Sequence, residues 1–192
     1  MRKENPNFLA KIEILEGDIS LLKLGLSEKD RETLINEVDI MIHNAANVYF
    51  DIRVSDSLTI NVLGTKEMLD LAAECKHMKA FVYVSTAYSH CYRKEIREEC
   101  YDPPANMKMI KDIMEADRQR KDGLTQEALD MLLGEWPNIY CFSKSVAEDL
   151  VNQYAQKLKC ACIIFRPSIG RYLGFVYSFK FTNILLINNH CV

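Results

Sequence analysis

The 192-residue sequence has little of what would mark a secreted, metal-stapled or nucleic-acid-binding chain. Its seven cysteines, at 75, 91, 100, 141, 160, 162 and 191, include no CxxC pair and no His/Cys ligand spacing, which argues against a zinc ribbon and a disulfide framework. They read as reduced thiols of an intracellular protein, with no metal expected. Cys160 and Cys162 are read as alternating to opposite faces of one strand, leaving no shared metal site. The opening MRKENPNFLAKIEILEGD has no apolar core of a secretory signal. There is no excess of one charge: 24 Lys and Arg are mixed among 27 Asp and Glu, for a net charge of -3 and a pI near 5.8. Without a basic stripe, nucleic acid is not an expected partner. The apolar run YLGFVYSFKFTNILLI near the C-terminus is interrupted by Lys180 and Asn183, too short and too broken for a membrane span. What is there, 48% hydrophobic and 27% charged residues, is the balance of one ordinary globular domain.

Short apolar runs alternate with longer helical patterns. The runs are IEIL at 12–15, DIMIHNA at 39–45, AFVYVST at 80–86 and CACIIFR at 160–166. Continuous apolar runs of this length predict parallel strands buried on both faces. Apolar residues recurring at three and four predict helices over 27–38, 53–75 and from 140 onward. The pattern is that of βαβ units: an α/β fold with a doubly wound, Rossmann-like parallel sheet. Segment 91–139 is polar, with Asp-Pro-Pro and Asp-Gly punctuation, and reads as an excursion from the sheet.

Ligands of such sheets bind beyond the carboxyl ends of the strands. The predicted ends carry Gly17-Asp18, His43 to Asn47, Ser85-Thr86-Ala87 and Arg166-Pro167-Ser168. Tyr140 and Lys144 are four apart on a predicted helix, so they share a face one turn apart. An ammonium there is expected to favour phenolate and make Tyr140 a usable acid. A hydroxyl from Thr86 or Ser85 is placed to hold the same substrate oxygen. His43 is read as a packed core histidine. Glu148 and Asp149 are read as solvated helix residues, and Trp136 as an anchor of the excursion against the sheet.

Six motifs in order, GDI at 17–19, HNAANV at 43–48, NVLGT at 61–65, FVYVSTAY at 81–88, YCFSK at 140–144 and FRPSI at 165–169, resemble the extended short-chain dehydrogenases. The wording of GLSEKD, VYFD, STAYSHCYRKEIREECYDPP and WPNIYCFSKSVAEDL is similar to that of the fatty acyl-CoA reductases, over about residues 1–170. The resemblance implies NADPH-dependent reduction of long-chain acyl-CoA, through an aldehyde, to a fatty alcohol. It implies Tyr140 as proton donor, Thr86 as the catalytic hydroxyl with Ser85 as the alternative, and Lys144 on the nicotinamide ribose. For the cofactor it implies Asp18 and Ile19 near the adenine, and Ala45, Ala46 and Asn47 along the ribose and phosphates. Asn61 would lie behind the site, with Pro167, Ser168 and Ile169 near the nicotinamide. It places the parent enzyme at the cytosolic face of the peroxisome or endoplasmic reticulum, and this chain in the cytosol.

Two departures accompany the resemblance. None of the 7 glycines falls in a GxxGxxG window, the turn that seats a pyrophosphate on a helix N-terminus. After Ile169 the reading GRYLGFVYSFKFTNILLINNHCV no longer follows the family. The expectation is therefore a partial NAD(P)-binding reductase domain over 1–170, with a family insert at about 91–139 and a non-family tail at 171–192. It would lack the first strand and the glycine-rich turn, and be impaired in activity. Membrane association would come only through absent C-terminal parts. Two other readings stay open: a non-catalytic remnant that associates with a full-length reductase through an exposed sheet edge, and a sugar-nucleotide epimerase or dehydratase fragment, which shares the core motifs but not the insert phrase.

Overall fold

The computed structural model describes residues 11–168 and, by its backbone, the strand Asn183–Ile187. Ile169 and most of the tail lie outside the described residues. The first helix, α1 (Glu28–Glu37), starts where the Ser27 hydroxyl accepts from Asp30 N, which satisfies an otherwise orphaned donor. It leads to β1 (Ile40–His43). One helical run follows, made of α2 (Val54–Leu58), a π turn (Thr59–Leu63) and α3 (Gly64–Glu74). After β2 (Ala80–Val84) the chain makes its excursion, which holds α4 (Met107–Arg118) and α5 (Gln126–Leu133), capped by Asn106 and Thr125. Asn138 caps α6 (Ile139–Ala155), and β3 (Ala161–Arg166) follows.

Strands β1, β2 and β3 pair in that order and in parallel, with Ile40 opposite Ala80 and Ala80 opposite Ala161. β4 (Asn183–Ile187) pairs antiparallel with β3. The connections β1 to β2 and β2 to β3 each carry a long helix, as parallel pairing requires. Their three carboxyl ends consequently lie side by side.

Three expectations need correction. IEIL at 12–15 is not a strand: Ile12 and Ile14 are 55% and 89% exposed, and the segment runs as irregular chain. A parallel strand exists only by pairing, and among the described residues nothing lies beside this segment to pair with it. Burial on both faces holds for one face only. Met41, His43, Phe81, Tyr83, Cys162 and Ile164 are buried, whereas Ile40 and Ile42 are 58% and 65% exposed. Finally, Cys160 and Cys162 share a face, because side chains two apart on a strand point the same way. Both are buried, and burial together with the neighbouring Cys160 thiol pushes Cys162 up to about 12. Among the described residues no group of three or more His, Cys, Asp or Glu can hold a metal ion, and no helix is long and apolar enough to cross a membrane.

Gly64, at the π-to-α junction, shows why NVLGT carries its glycine. A Cβ there would lie 2.5 Å from Ile19 Cγ1 and 2.8 Å from Ile19 O. The helix thus packs directly on the backbone that follows Asp18. Gly64→Ala is expected to push that turn away and cost about 1–3 kcal/mol of stability, read as a lowered denaturant midpoint.

Two of the excursion's fastenings lie on either side of α5. Asp117, buried at the end of α4, accepts from Arg53 Nε, Ser55 N and Leu124 N at 3.0, 3.0 and 2.9 Å. Trp136 Nε1 donates to Ser89 O at 2.8 Å, with its ring against Tyr92 and Phe142. The second fastening is the anchor expected of Trp136.

Candidate active site

The site forms where the loops after β1, β2 and β3 meet the first turns of α6. Asn138 starts α6 by accepting from Cys141 N at 2.9 Å, which fixes Tyr140 and Lys144 in consecutive turns. Tyr140 is half-buried, with the Thr86 hydroxyl close by. Burial raises its pKa above the ordinary value and the neighbouring Thr86 hydroxyl works against that rise. The expected lowering by Lys144 does not occur. Lys144 is buried, donates to Val84 O at 2.7 Å and lies 4.7 Å above the Tyr83 ring. Burial, opposed by the charge of Glu148, brings the Lys144 ammonium down to about 8. A protonated phenol is what a proton donor needs, so at neutral pH Tyr140 holds its proton without help from Lys144.

His43 is buried and bonded through Nε2 to Thr65 Oγ1 at 2.9 Å, while Thr65 donates to Asn61 O. Burial, then the Lys144 charge, lowers it to about 4. It is a neutral core histidine at physiological pH.

The two candidate hydroxyls part company. Ser85 Oγ turns inward and donates to Glu148, whereas Thr86 meets Tyr140. Glu148 is not a solvated helix residue. It is 4% exposed, and its carboxylate also accepts from Ser89 Oγ at 2.8 Å, His90 Nε2 at 3.1 Å and Arg166 Nη2 at 2.7 Å. Burial opposes ionisation, but the hydrogen bonds from His90 and Arg166 and the Arg166 charge prevail and hold it at about 2. Ser89 Oγ also lies 3.0 Å from Thr86 O, so its one proton is shared between that carbonyl and the carboxylate. One carboxylate therefore fixes Ser85, Ser89 and His90, the residues on both sides of Thr86. Arg166 extends the lock to the excursion by donating to Arg97 O and Glu99 O at 3.0 and 3.1 Å. The signal for Glu148 was its spacing, one turn beyond Lys144 on the inward face.

The other candidates fall into two groups. Ala45 is exposed, Ala46 and Asn47 are half-exposed, and Pro167 and Ser168 are half-buried beside Ala87, whose N–H donates to Pro167 O at 2.9 Å. All five lie in the loops that follow β1 and β3. Asn61 is buried and stands behind the β1 loop: its amide accepts from Asn47 N at 2.8 Å and donates to Asn47 O and Ser143 Oγ at 3.0 and 2.9 Å. It acts by holding that loop to α6. The π turn, which contains Asn61, is a distortion often found at functional sites. Asp18 is exposed, its carboxylate accepting from Ser20 N and Ser20 Oγ, and Ile19 lies against Gly64.

Residues 1–174 match the male sterility protein family of NAD-binding domains. The chain is 39% identical over 169 residues to human fatty acyl-CoA reductase 1, and 39% identical over 170 residues to the Drosophila melanogaster fatty acyl-CoA reductase wat. Each match covers 88% of this chain and 32% of the relative, so the chain spans about a third of their length. Among solved structures, the terminal R domain of the myxalamid PKS-NRPS biosynthetic pathway superposes with a TM-score of 0.60 at 28% identity, covering 85% of this chain and 35% of that one. Matched in sequence along nearly all its described length and folded as a Rossmann-like parallel sheet, the chain belongs to the male sterility protein family of NAD-binding domains, with the fatty acyl-CoA reductases among its relatives.

Proposed function

We propose that this chain carries the catalytic centre of an NADPH-dependent fatty acyl-CoA reductase that takes a long-chain acyl-CoA thioester, through the aldehyde, to the alcohol. The observation that carries this reading is the placement of Tyr140 and Lys144 in consecutive turns of α6 beside Thr86, just past the end of β2, with Lys144 donating to Val84 O at 2.7 Å. The substrate class follows the likeness to fatty acyl-CoA reductases, and the choice of NADPH follows the resemblance of the sequence motifs to that family.

The described residues fit the nicotinamide and ribose end of the cofactor. The Lys144 ammonium has three donors, of which one goes to Val84 O. Ala45 and Ala46 leave the neighbouring backbone open for a flat ring or ribose to approach. Among the described residues no helix opens on a glycine-rich turn, so the pyrophosphate end has no matching cradle there. When bound, the reduced nicotinamide supplies the hydride. Tyr140 O–H and Thr86 O–H are the donors for the thioester oxygen as it gains negative charge. The Glu148 lock keeps Thr86 in place for this. Lys144 holds the ribose, which calls for the charged ammonium and so for a pH below about 8.

The test is NADPH binding by fluorescence titration, followed by loss of dihydronicotinamide absorbance on adding long-chain acyl-CoA. Acyl-CoA-dependent oxidation of NADPH is expected. NADPH retained with no oxidation by acyl-CoA or by long-chain aldehyde would overturn the reductase reading.

A further inference from the structure

The loop after β1 displays three consecutive large apolar side chains to solvent. Val48, Tyr49 and Phe50 are 58%, 69% and 63% exposed. Such runs are avoided on ordinary surfaces because they invite association, and they occur where a ligand or partner covers them. The loop is not slack. Asn61 holds Asn47 at both its N–H and its C=O, and Asn47 Oδ1 accepts from Tyr49 N at 2.9 Å. This turn presents the three side chains just beyond a fixed point. One of them reaches the chemistry: the Phe50 ring lies 6.0 Å from the Tyr140 ring, tilted by 42°.

We infer that Val48, Tyr49 and Phe50 form the surface that receives the first methylenes of the acyl chain, an inference that rests on the reductase reading above. The thioester has two arms. The pantetheine arm is rich in amides and ends in phosphates, which call for donors and cations. Residues 44–52, NAANVYFDI, contain no Lys, Arg or His. They offer apolar and aromatic area, which suits a hydrocarbon. A carbonyl held at the Tyr140 phenol puts the carbons next to it within reach of the Phe50 ring. The surface therefore takes the acyl arm and leaves the coenzyme arm to another part of the site.

The test measures binding of CoA and of short-, medium- and long-chain acyl-CoA to the full chain by calorimetry, below the micelle concentration, for wild type, Phe50→Ala, Phe50→Leu and Tyr49→Ser. Each substituted side chain is exposed, and unchanged thermal melting confirms the fold of each variant. In the wild type, affinity is expected to rise about fourfold for each added methylene that makes contact. Phe50→Ala should weaken long-chain acyl-CoA binding by roughly tenfold and leave CoA binding as it was, while Phe50→Leu restores most of the loss. Long-chain acyl-CoA bound equally by wild type and all three variants would overturn this surface while leaving the reductase reading intact. No binding of acyl-CoA at any length would remove both. A dimer in sedimentation that Phe50→Ala dissolves and acyl-CoA leaves unaffected would assign the surface to a second copy, and the proposal would fail.

Discussion

Glu148→Ala is expected to lower the stability of the chain by about 3–5 kcal/mol, the usual cost of breaking a buried ion pair from one side. The loss comes less from the missing attraction than from what remains. Arg166 is 1% exposed and would lose the carboxylate it holds at 2.7 Å, a charge-assisted contact that water cannot readily replace there. Ser85, Ser89 and His90 lose an acceptor together. Glu148→Gln keeps the shape and one acceptor oxygen, so its cost should be smaller; an equal cost in urea or guanidinium unfolding would mean that packing and not charge holds the cluster. The pH dependence has a definite sign. The folded carboxyl lies at about 2 against 4.5 for a free one, so the unfolded chain binds the proton more readily. The contribution is complete above about 4.5 and disappears as pH falls towards 2, amounting to about 3 kcal/mol over that interval. Glu148→Gln should flatten the acid limb of the stability curve. An unchanged acid limb would remove Glu148 as its source.

The alternation of short apolar runs with helical periods was sufficient to locate β1, β2, β3 and their crossovers, because those elements are stabilised largely by their own patterns and by neighbours present in the same chain. IEIL has the same local pattern and does not form a strand. The difference lies in pairing, a property of the partner and not of the segment. The candidate site was legible to the extent that it sits at strand ends: His43 to Asn47, Thr86 and Pro167 could be picked out because parallel topology gathers carboxyl termini. Which of Ser85 and Thr86 faces Tyr140 was not legible from strand position, and only the family resemblance favoured Thr86. That choice is made by Glu148, which looks on a helix like any other surface acid. It becomes a core residue only because Arg166, at the end of a strand from another part of the chain, turns inward to meet it. The Tyr140–Lys144 spacing was legible as a shared helix face, but spacing says nothing about desolvation. Burial, which raises Tyr140 and lowers Lys144, overrides the simple picture of an ammonium ionising its neighbour.

Tyr140→Phe is expected to lower kcat by about 10²–10⁴, the range for loss of a positioned proton donor, while KM for acyl-CoA and the affinity for NADPH change little. The aromatic ring remains to pack against Phe50, and Lys144 keeps its bond to Val84 O, so the binding surfaces survive. Only the O–H is gone. Thr86→Ala should have a smaller effect of the same kind and Thr86→Ser should recover much of it, since the hydroxyl, not the methyl, faces Tyr140. The pH profile separates the two titrating neighbours. With Tyr140 above its ordinary value, its proton is still in place where the Lys144 ammonium begins to lose its own at about 8. The alkaline decline of kcat/KM should therefore begin near 8, accompany weakened NADPH binding, and move upward in Lys144→Arg, whose guanidinium stays charged. If Tyr140→Phe keeps turnover within a few-fold of wild type, the proton comes from another group, and the assignment of the site to Tyr140, Thr86 and Lys144 falls with it.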